Sequence, residues 1–576
     1  MLKYLFKDKL KIILVISLNT IHTLLVTGLA LIYGALVNTV ANGATADQLL
    51  RELSFALGYS LLTALSEWTR HYFNNLLFAK MLITMQNDMY FKLIHSNYEF
   101  ITSEDSSRYY DYMTSDLYRV RAALATLITV VDRIIATISA FVAASILNYK
   151  VALVMLSMTF IMGLVPIIIR KKLISAEMQI SNVNKLWARS TKENLLGMSI
   201  IKSFGAENYS IQEIKSAGKI VYKTHKSKSI IDSTLNGVTT IIQNISMLAL
   251  VGITCYFVVT KEVEIGAVLS IVQIGMSFYG GILGLAGSLA FYWGTKGIRD
   301  RVWSIIGKKS VDKPGTDVDF ANSIVFKNVS FEYANDDRLI LNNINLEFKK
   351  NEKYLVLGKS GSGKSTILKL IANYFTNYEG SISIDEIEYH NINDNRITEI
   401  VAVAQQNCYL FNRSMRHNID YLQTGNTEKL ESIIDFVCLR DFITRLPDGI
   451  DTVVDEEVHQ VSGGEKLRIN LARALYRDSS VLLLDEVTSS LDKSTAGIVE
   501  SNLLALTDKT IINVCHKFND DSLAQYDKII IIEDGVVVEQ GSLNQLRASR
   551  KLDMYRSAPQ ADLAEIEIEG QKATHE

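Results

Sequence analysis

The segment Gly358–Thr366 reads GKSGSGKST, which fits the spacing G-x-x-x-x-G-K-[ST] between a strand pattern, YLVL, and a helix start, ILKLIANYF. Glycines let a backbone turn tightly, so that amide N–H groups and a helix N-terminus face anionic oxygens. We therefore expect a phosphate-binding loop, in which Lys364 reaches the β and γ phosphates of a nucleotide and the Ser365 hydroxyl binds Mg²⁺. The predicted loop residues are Gly358, Lys359, Ser360, Gly361, Ser362, Gly363, Lys364, Ser365 and Thr366.

A pair of carboxylates, Asp485 and Glu486, ends the apolar run VLLLDE. Such a run in isolation is common as a buried strand followed by a solvated acidic turn. When a phosphate loop is also present, acids at the carboxyl end of a strand lie beside the nucleotide. We predict that Asp485 binds Mg²⁺, directly or through water, and that Glu486 is the base that activates the attacking water.

A second candidate anion site lies in VSGGEKLRINLARAL, at Val461–Leu475, where Ser-Gly-Gly opens a helix pattern. Ser462 is also suited to an ordinary helix N-cap, and the two roles are compatible. Here the chain resembles the ATP-binding cassette (ABC) family. Ser462, Gly463 and Gly464 match the signature of that family, with Glu465 where glutamine is frequent. The resemblance implies that these four residues bind ATP.

Further site residues are implied by the same resemblance. Tyr333 resembles the aromatic residue that stacks on adenine, and Gln406 resembles the glutamine that touches magnesium and the membrane domain. Ser489–Asp492 resembles the segment that crosses the dimer interface, and His516 resembles the histidine that contacts the γ phosphate. The predicted catalytic set is Glu486, His516, Lys364 and Gln406, and the predicted Mg²⁺ ligands are Ser365, Gln406 and Asp485.

The first half of the chain is apolar in long segments, and a segment of about 20 apolar residues is long enough to cross a bilayer. We predict six membrane-spanning helices at residues 12–40, 53–65, 122–147, 151–169, 235–259 and 265–292. For the short second segment alone, a buried core helix is the alternative. No small-residue cleavage site follows the first segment, so we expect that segment to stay in the membrane.

The connections between these segments alternate between short and long. The two long ones, at residues 70–121 and 170–233, are rich in Lys and Arg, and further lysines precede the first segment. The positive-inside rule then places the amino terminus, both long connections and the ATP-binding domain in the cytoplasm. The helical spacing of the long connections predicts stalks that continue the spans into the cytoplasm. We expect a multi-pass protein of the cell (plasma or inner) membrane.

A change in composition at SIIGKKSVDKPGTDVDFANS marks a domain boundary. The predicted organisation is a transmembrane domain at 1–305, a linker at 306–323, an ATP-binding cassette domain at 324–556 and a polar tail at 557–576. The predicted fold class is an α-helical membrane domain of six transmembrane helices (ABC exporter fold), followed by an α/β P-loop nucleotide-binding domain.

The order of the two domains resembles the half-transporters of the ABC exporter fold. The segment Glu193–Glu207 resembles their second intracellular loop, in which a short transverse helix docks on the cassette. The resemblance implies a second half-transporter subunit, because each ATP is held between the phosphate loop of one subunit and the signature of the other. The intact site residues favour a homodimer, and a heterodimer stays open. The family's glycines are missing from Asp455-Glu456-Glu457-Val458, which bears on coupling between cassette and stalks.

We therefore expect an ATPase that transports a compound across the membrane, with ATP and Mg²⁺ as cofactors and the lipid bilayer as its surroundings. Export is the favoured direction. Uptake of a metal chelate or siderophore through the same fold, and a non-transporting ATP-gated membrane protein, are the alternatives. A net charge of -3 gives no reason to expect a nucleic-acid partner, and the four scattered cysteines suit reduced packing residues.

The substrate is not identified by any motif. Polar residues in the spans are candidates for lining a transport cavity, and hydrogen bonds between helices are the alternative role for each. These candidates are Asn19, His22, Thr23, Thr27, Thr239, Gln243, Asn244 and Gln273. Six glycines in or beside the last span, Gly266, Gly275, Gly280, Gly281, Gly284 and Gly287, predict close helix approach or bending there.

Overall fold

The computed structural model describes residues 2–102, 104, 106–307, 315–333, 338–406, 408–454, 461–515, 520–549 and 552. The chain divides into two compact units. The first comprises Met1–His95 and Glu104–Ser310, and the second comprises Ser96–Ser103 and Val311–Glu576.

The first unit is built of helices in every part that the structure describes. They are α1 Leu2–Leu5, α2 Lys9–Ala41, α3 Ala46–Ile94, α5 Ser106–Asp111, a π-helical turn Tyr112–Asp116, α6 Leu117–Leu147, α7 Tyr149–Leu196, α8 Met198–Ser203, α9 Glu207–Val259, α10 Gly266–Gly294 and α11 Lys296–Ile306. Five of the six predicted spans lie within α2, α3, α6, α7 and α9, and the sixth, at 265–292, begins one residue before α10. The short helix α8 lies in the segment that resembles the second intracellular loop.

Four helical segments in the described part of the chain are long and apolar enough to cross a membrane: Lys9–Ala41, Ser106–Leu147, Glu207–Val259 and Gly266–Gly294. The predicted second and fourth spans lie in α3 and α7, whose described residues do not meet that criterion. In α3 the charges of Glu52 and Glu67 bracket the apolar stretch and keep it short. The described apolar part of α7 is Tyr149–Phe160.

Three helices are much longer than a bilayer crossing requires. Helices α3, α7 and α9 contain 49, 48 and 53 residues. At about 1.5 Å per residue they extend roughly 70–80 Å, whereas the hydrocarbon core is about 30 Å thick. The excess length agrees with the predicted stalks.

Glycine residues, which have no side chain, allow the last long helix, α10, to approach its neighbours. A Cβ atom on Gly266 would lie 1.9 Å from the carbonyl oxygen of Gly34 in α2, so only glycine fits at this crossing. The Gly266 amide also donates a hydrogen bond of 2.6 Å to the Asn38 side chain. A Cβ on Gly281 would lie 2.5 Å from the Thr137 hydroxyl of α6, whereas a Cβ on Gly280 or Gly287 would meet no atom within 4 Å. Close helix approach thus accounts for some of these glycines.

The second unit contains a six-stranded sheet, ordered β12-β11-β3-β10-β9-β6, and a four-stranded antiparallel sheet, ordered β2-β1-β4-β5. A short pair, β7 and β8, lies apart. The strands are β1 Ser323–Glu332, β2 Leu339–Lys349, β3 Lys353–Leu357, β4 Glu379–Ile384, β5 Ile387–Glu388, β6 Val401–Ala404, β7 Arg413–Ser414, β8 Val453–Val454, β9 Val481–Asp485, β10 Thr510–Cys515, β11 Lys528–Glu533 and β12 Val536–Gly541. The helices are α4 Tyr98–Thr102, α12 Lys364–Ile371, α13 Asp394–Ile400, α14 Met415–Ile419, α15 Thr427–Phe436, α16 Arg440–Thr444, α17 Gly463–Tyr476, α18 Lys493–Leu504, α19 Asp520–Leu523 and α20 Leu543–Ser549.

The central strands of the larger sheet run parallel, with β3, β10, β9 and β6 paired in register. Their residues are almost all buried, as expected for a parallel sheet covered on both faces. Parallel strands bring their carboxyl ends to one edge, so the segments after β3, β6 and β9 meet there. That edge carries the phosphate loop, Gln406 and the acidic pair.

One element of the second unit comes from the first half of the chain. The short helix α4 lies between α3 and α5 in sequence but groups with the second unit. The ring of Tyr98 stacks on the ring of Tyr374, with 4.1 Å between centroids. The Tyr374 hydroxyl accepts a hydrogen bond of 3.2 Å from Gln405, the residue before Gln406. Helix α4 is therefore linked through two side chains to the strand end that carries Gln406.

Candidate nucleotide-hydrolysis site

The predicted phosphate loop connects β3 to α12, as the sequence pattern indicates. Gly361 and Gly363 have φ values of +81° and +100°, which side chains rarely adopt. A Cβ on Gly363 would also lie 2.6 Å from the Leu341 side chain. A Cβ on Gly358 would lie 2.3 Å from the Ile532 carbonyl oxygen. These glycines are needed for the turn and for its close approach to the neighbouring backbone.

Lys364, the first residue of α12, is folded back into the loop. Its ammonium donates hydrogen bonds of 2.8 Å to the carbonyls of both Gly358 and Lys359. The side chain is only 4% exposed. Burial lowers the pKa of Lys364, and the charges of Glu486 and Asp485 oppose that effect. The loop therefore holds a cation in place before any phosphate binds.

Ser365 and Asp485, two of the predicted Mg²⁺ ligands, lie together. The Ser365 hydroxyl donates a hydrogen bond of 3.0 Å to Oδ1 of Asp485. A hydroxyl and a carboxylate at this distance are oxygen donors of the kind that Mg²⁺ prefers, and this ion takes few protein ligands besides phosphate and water. The donor set therefore fits the ion. No cluster of three or more His, Cys, Asp or Glu side chains suited to a metal is found in the described part of the chain.

Glu486 directly follows β9 and has the strained backbone conformation φ +55°, which is uncommon for a residue with a side chain. Its amide donates a hydrogen bond of 3.1 Å to the carbonyl of Val514 in β10. The carboxylate accepts a hydrogen bond of 2.9 Å from the Gln406 amide. The turn thus directs the base candidate toward Gln406, and the two predicted catalytic side chains meet.

Tyr333, the predicted adenine-stacking residue, lies after β1 and is partly buried. Its hydroxyl is 3.1 Å from the hydroxyl of Thr366 in the phosphate loop. Its ring packs edge-on against Phe331 and Phe375, and the Lys369 ammonium lies 5.8 Å from the ring centroid. An aromatic surface therefore adjoins the loop.

The signature residues begin α17. Ser462 is the N-cap, and it forms a reciprocal capping box with Glu465. The Glu465 carboxylate accepts hydrogen bonds from the Ser462 amide at 2.9 Å and from the Ser462 hydroxyl at 2.8 Å. Gly463 and Gly464 form the first turn, and a Cβ on Gly464 would lie 3.1 Å from the Ser490 carbonyl oxygen. The signature thus packs against the Ser489–Asp492 segment.

Arg445 is a contact that sequence reasoning missed. One of its Nη atoms lies 3.0 Å from the buried carboxylate of Glu465. Arg445 therefore supplies a positive charge beside the acid that stands where the family frequently has glutamine. The arginine lies 20 residues before Glu465, and no local motif connects the two.

Three of the sequence predictions fall outside the described residues. They are His516, the predicted γ-phosphate contact, the variant loop Asp455-Glu456-Glu457-Val458, and the polar tail at 557–576.

Several predicted cavity residues take part in hydrogen bonds between helices. Asn19 accepts from Asn74, Thr23 donates to Asp132, and Thr27 lies 3.1 Å from Ser139. Thr239 donates only to the backbone of its own helix, and Gln273 lines a cavity of about 80 Å³. The structure shows no hydrogen bond for Gln243 or Asn244 within the described residues. The helix-bridging role is therefore observed for the polar residues of α2.

A charged cluster inside the first unit was also missed. Glu67 of α3 accepts from His22 of α2 at 2.9 Å, from His71 at 2.8 Å and from Arg70 through both carboxylate oxygens. Arg70 also faces Asp132 of α6 at 3.8 Å. Charges that interrupt apolar spans are the sequence signal for such a cluster.

Comparisons with known proteins agree with this fold. Residues 12–281 match the family model of the ABC transporter transmembrane region, and residues 341–489 match that of the ABC transporter. The heterocyst differentiation ATP-binding protein HepA of Nostoc sp. is 25% identical over 505 residues, which cover 85% of this chain and 82% of that protein. The ATP-dependent lipid A-core flippase of Escherichia coli K12 is 25% identical over 509 residues, covering 86% of each.

A solved structure described as a bacterial Atm1-family ABC exporter with ATP bound superposes with a TM-score of 0.83. The two chains are 22% identical, and the match covers 96% of this chain and 98% of the other. This similarity concerns the fold, and it confirms the predicted fold class. The chain fuses a transmembrane module to an ATP-binding module, an arrangement that functions in the bilayer with a further ABC subunit. The protein is a member of the ABC transporter family, a multi-pass membrane protein of the exporter type whose ATP hydrolysis drives transport.

Proposed function

We propose that this protein exports a compound from the cytoplasm, as a homodimer that binds and hydrolyses two Mg²⁺-bound ATP molecules. One observation carries the proposal. Lys364, the Ser365–Asp485 pair and the Gln406–Glu486 pair converge on one edge of a buried parallel sheet. A site that only binds nucleotide needs no base directed at the γ phosphate, so this arrangement favours hydrolysis over ATP-gated binding.

The proposed roles follow from charge and position. Lys364 and the loop amides hold the β and γ phosphates, and Tyr333 stacks on adenine. Gln406 orients the Glu486 carboxylate, which takes the proton of the attacking water. Mg²⁺, bound by Ser365, Asp485 and Gln406, would neutralise phosphate charge. His516 would contact the γ phosphate.

The proposed role of the signature is to contact the ATP that is bound to the phosphate loop of the other subunit. Ser462 and the first turn of α17 present N–H groups and the positive end of a helix dipole, which suit a phosphate brought by a partner chain. Two ATP molecules then hold two cassettes together, and their hydrolysis releases the attraction. Because every described site residue is intact, two copies of this chain suffice, which supports a homodimer.

The proposed topology follows from the lysine and arginine distribution. In this topology the protein lies in the plasma or inner membrane, with its amino terminus and ATP-binding domain in the cytoplasm. The proposed domain limits are residues 1–305, 306–323, 324–556 and 557–576. The ATPase, stimulated by its substrate, would move the transported compound from the cytoplasm to the opposite side of the membrane.

A Glu486→Gln variant tests the assignment of the base. The amide has the size of the carboxylate but accepts no proton, so we expect ATP binding close to that of the wild type and hydrolysis slowed by roughly 100-fold or more, the upper part of the range for general-base catalysis. Turnover and ATP affinity are measured on the purified full-length protein in nanodiscs. Glu428→Gln, an exposed position on α15, is the matched control. Wild-type turnover in Glu486→Gln would remove Glu486 from the mechanism.

Direction is tested separately in inside-out vesicles. A compound that stimulates the ATPase should accumulate in the lumen when ATP is added outside. Loss of the compound from preloaded vesicles would instead indicate uptake into the cell.

A further inference from the structure

An arginine in the middle of α6 has no ionic partner within the described residues. Arg133 is exposed, and apart from Asp132 the surrounding stretch of the helix is apolar. Twelve residues separate it from Arg121 and fifteen from Asn148, which is about 18 Å and about 22 Å of helix at roughly 1.5 Å per residue. The guanidinium therefore lies near the middle of the hydrocarbon layer, too deep for its side chain to reach either surface.

The charges nearest in sequence and depth are already satisfied by each other. Glu67 is paired with Arg70 and with the imidazoles of His22 and His71. Asp132, the residue before Arg133, accepts from Thr23 at 3.0 Å and faces Arg70. The Asp132 side chain is thus held against α2 and α3. The two carboxylates and the two arginines at this depth balance in number, but the Arg133 guanidinium forms no direct ion pair within the described residues.

Arg133 is held in place by a glycine of α10. A Cβ atom on Gly284 would lie 2.9 Å from Nε and 3.1 Å from Cδ of Arg133, so the arginine lies in the space that the missing side chain leaves. One turn along, Gly281 of α10 accommodates Thr137, whose hydroxyl donates 2.8 Å to the Arg133 carbonyl. The guanidinium thus packs against α10 through Nε and Cζ, while the residue as a whole is exposed.

An unpaired charge at this depth is costly in lipid, so it must face water, a partner or a ligand. We propose that Arg133 binds an oxyanion, a carboxylate or a phosphate, of the transported compound. Its guanidinium presents paired N–H donors that match either group. This inference rests on the proposed transport function and names the chemical class of its substrate.

The test uses full-length dimers in phosphatidylcholine nanodiscs and four probes with one ring system: 1-naphthoate, 1-naphthyl phosphate, 1-naphthalenemethanol and 1-naphthylmethylammonium. We measure saturable binding above that of empty nanodiscs. At least one of the two anions should bind the wild type about tenfold or more tightly than the alcohol, as a charge-assisted hydrogen bond allows. The amine should bind no better than the alcohol.

Three variants and one control identify the residue. Arg133→Gln should remove the preference for the anion, and Arg133→Lys should keep part of it. Gly284→Ala should weaken binding of the anion without removing any charge, because the added methyl group displaces the guanidinium. Arg51→Gln, which removes an exposed arginine near the start of α3, should behave as the wild type.

A further arm distinguishes the two sources of an oxyanion. If phosphatidylglycerol in the nanodisc competes with the naphthyl anions, the ligand is a lipid phosphate; if it does not, the ligand is a separate solute. The inference is overturned if the wild type shows no anion preference, if Arg133→Gln keeps that preference within twofold, or if Arg133→Gln dissociates the dimer, which would make a partner carboxylate the counter-ion. ATP hydrolysis measured in the same nanodiscs tests the proposed function independently, since active hydrolysis without anion preference contradicts this inference alone.

Discussion

The Gln406 side-chain amide donates a hydrogen bond to the carboxylate of Glu486, with 2.9 Å between Nε2 and Oε2. The two residues are 80 positions apart, and they meet because β6 and β9 are neighbours in one parallel sheet. Gln406 is also next to Gln405, which contacts Tyr374 and through it the helix α4. The proposed base is thus oriented by a residue at the end of a chain of contacts that begins outside the sheet.

Replacing this amide by an acid should make hydrolysis depend more strongly on pH. In Gln406→Glu two carboxylates at hydrogen-bond distance would share one proton, because like charges this close cannot both ionise easily. The form of Glu486 that accepts a proton would then be populated only at higher pH. We expect the acidic limb of the pH-activity profile to shift to higher pH, so that activity is partly recovered in mildly alkaline buffer. Gln406→Ala should lower activity without that movement, and identical profiles for the two variants would contradict the pairing.

ATP affinity should weaken at alkaline pH because of Lys364. Burial lowers the pKa of this lysine below the ordinary value of 10.5, against the opposing charges of Glu486 and Asp485. Below that lowered pKa the ammonium is charged and binding is at full strength. Above it the free protein has lost the proton, and ATP must restore it, so affinity falls as pH rises.

Calorimetry in buffers of different ionisation enthalpy checks this proton uptake. Lys364→Arg is the matched variant, because a guanidinium stays charged, so its affinity should be lower at neutral pH but lack the alkaline fall. Equal alkaline dependence in both proteins would assign the effect to another group.

Two glycine substitutions in the second unit should have opposite effects. Gly363→Ala places a side chain at φ +100°, where left-handed backbone costs about 1–2 kcal/mol, and it drives a methyl group against Leu341. We expect a lower melting temperature and little stabilisation by ATP. Gly497→Ala lies inside α18, where a Cβ would meet no atom within 4 Å, and it should stabilise by about 0.5–1 kcal/mol. Thermal unfolding of the full chain, with and without ATP, measures both. Similar shifts for the two variants would contradict the strained loop.

The ion pair between Arg445 and Glu465 should be needed for activity only because residue 465 is an acid. Arg445→Gln leaves the buried carboxylate without its cation, which we expect to lower ATPase activity severalfold, since an unpaired buried charge costs about 1–3 kcal/mol or more. Glu465→Gln alone should be tolerated, because an amide can still cap Ser462. The double variant should recover most of the activity lost in Arg445→Gln. Additive losses would show that the two side chains act independently.

The sequence by itself determined the chemistry of the nucleotide site. The phosphate loop and the acidic pair are short runs whose residue types are required by tight turns and by phosphate charge, and the same local rules placed Ser462 at a helix N-cap. It also located the six long helices, because apolar residues must be continuous wherever lipid surrounds a helix. Its estimate of the second span was the least secure, since the charges of Glu52 and Glu67 interrupt the apolar run.

Tertiary structure alone decided which distant side chains meet. Glu465 finds Arg445, Tyr98 finds Tyr374, and Glu67 of α3 finds His22 of α2. Each contact depends on the packing of elements that are separate in sequence, and neither periodicity nor spacing encodes the rotation of one helix against another. Arg133 shows the same limit, since only the packed helices reveal that Asp132 is engaged by Thr23 and that the guanidinium against Gly284 has no ion pair in the described part of the chain.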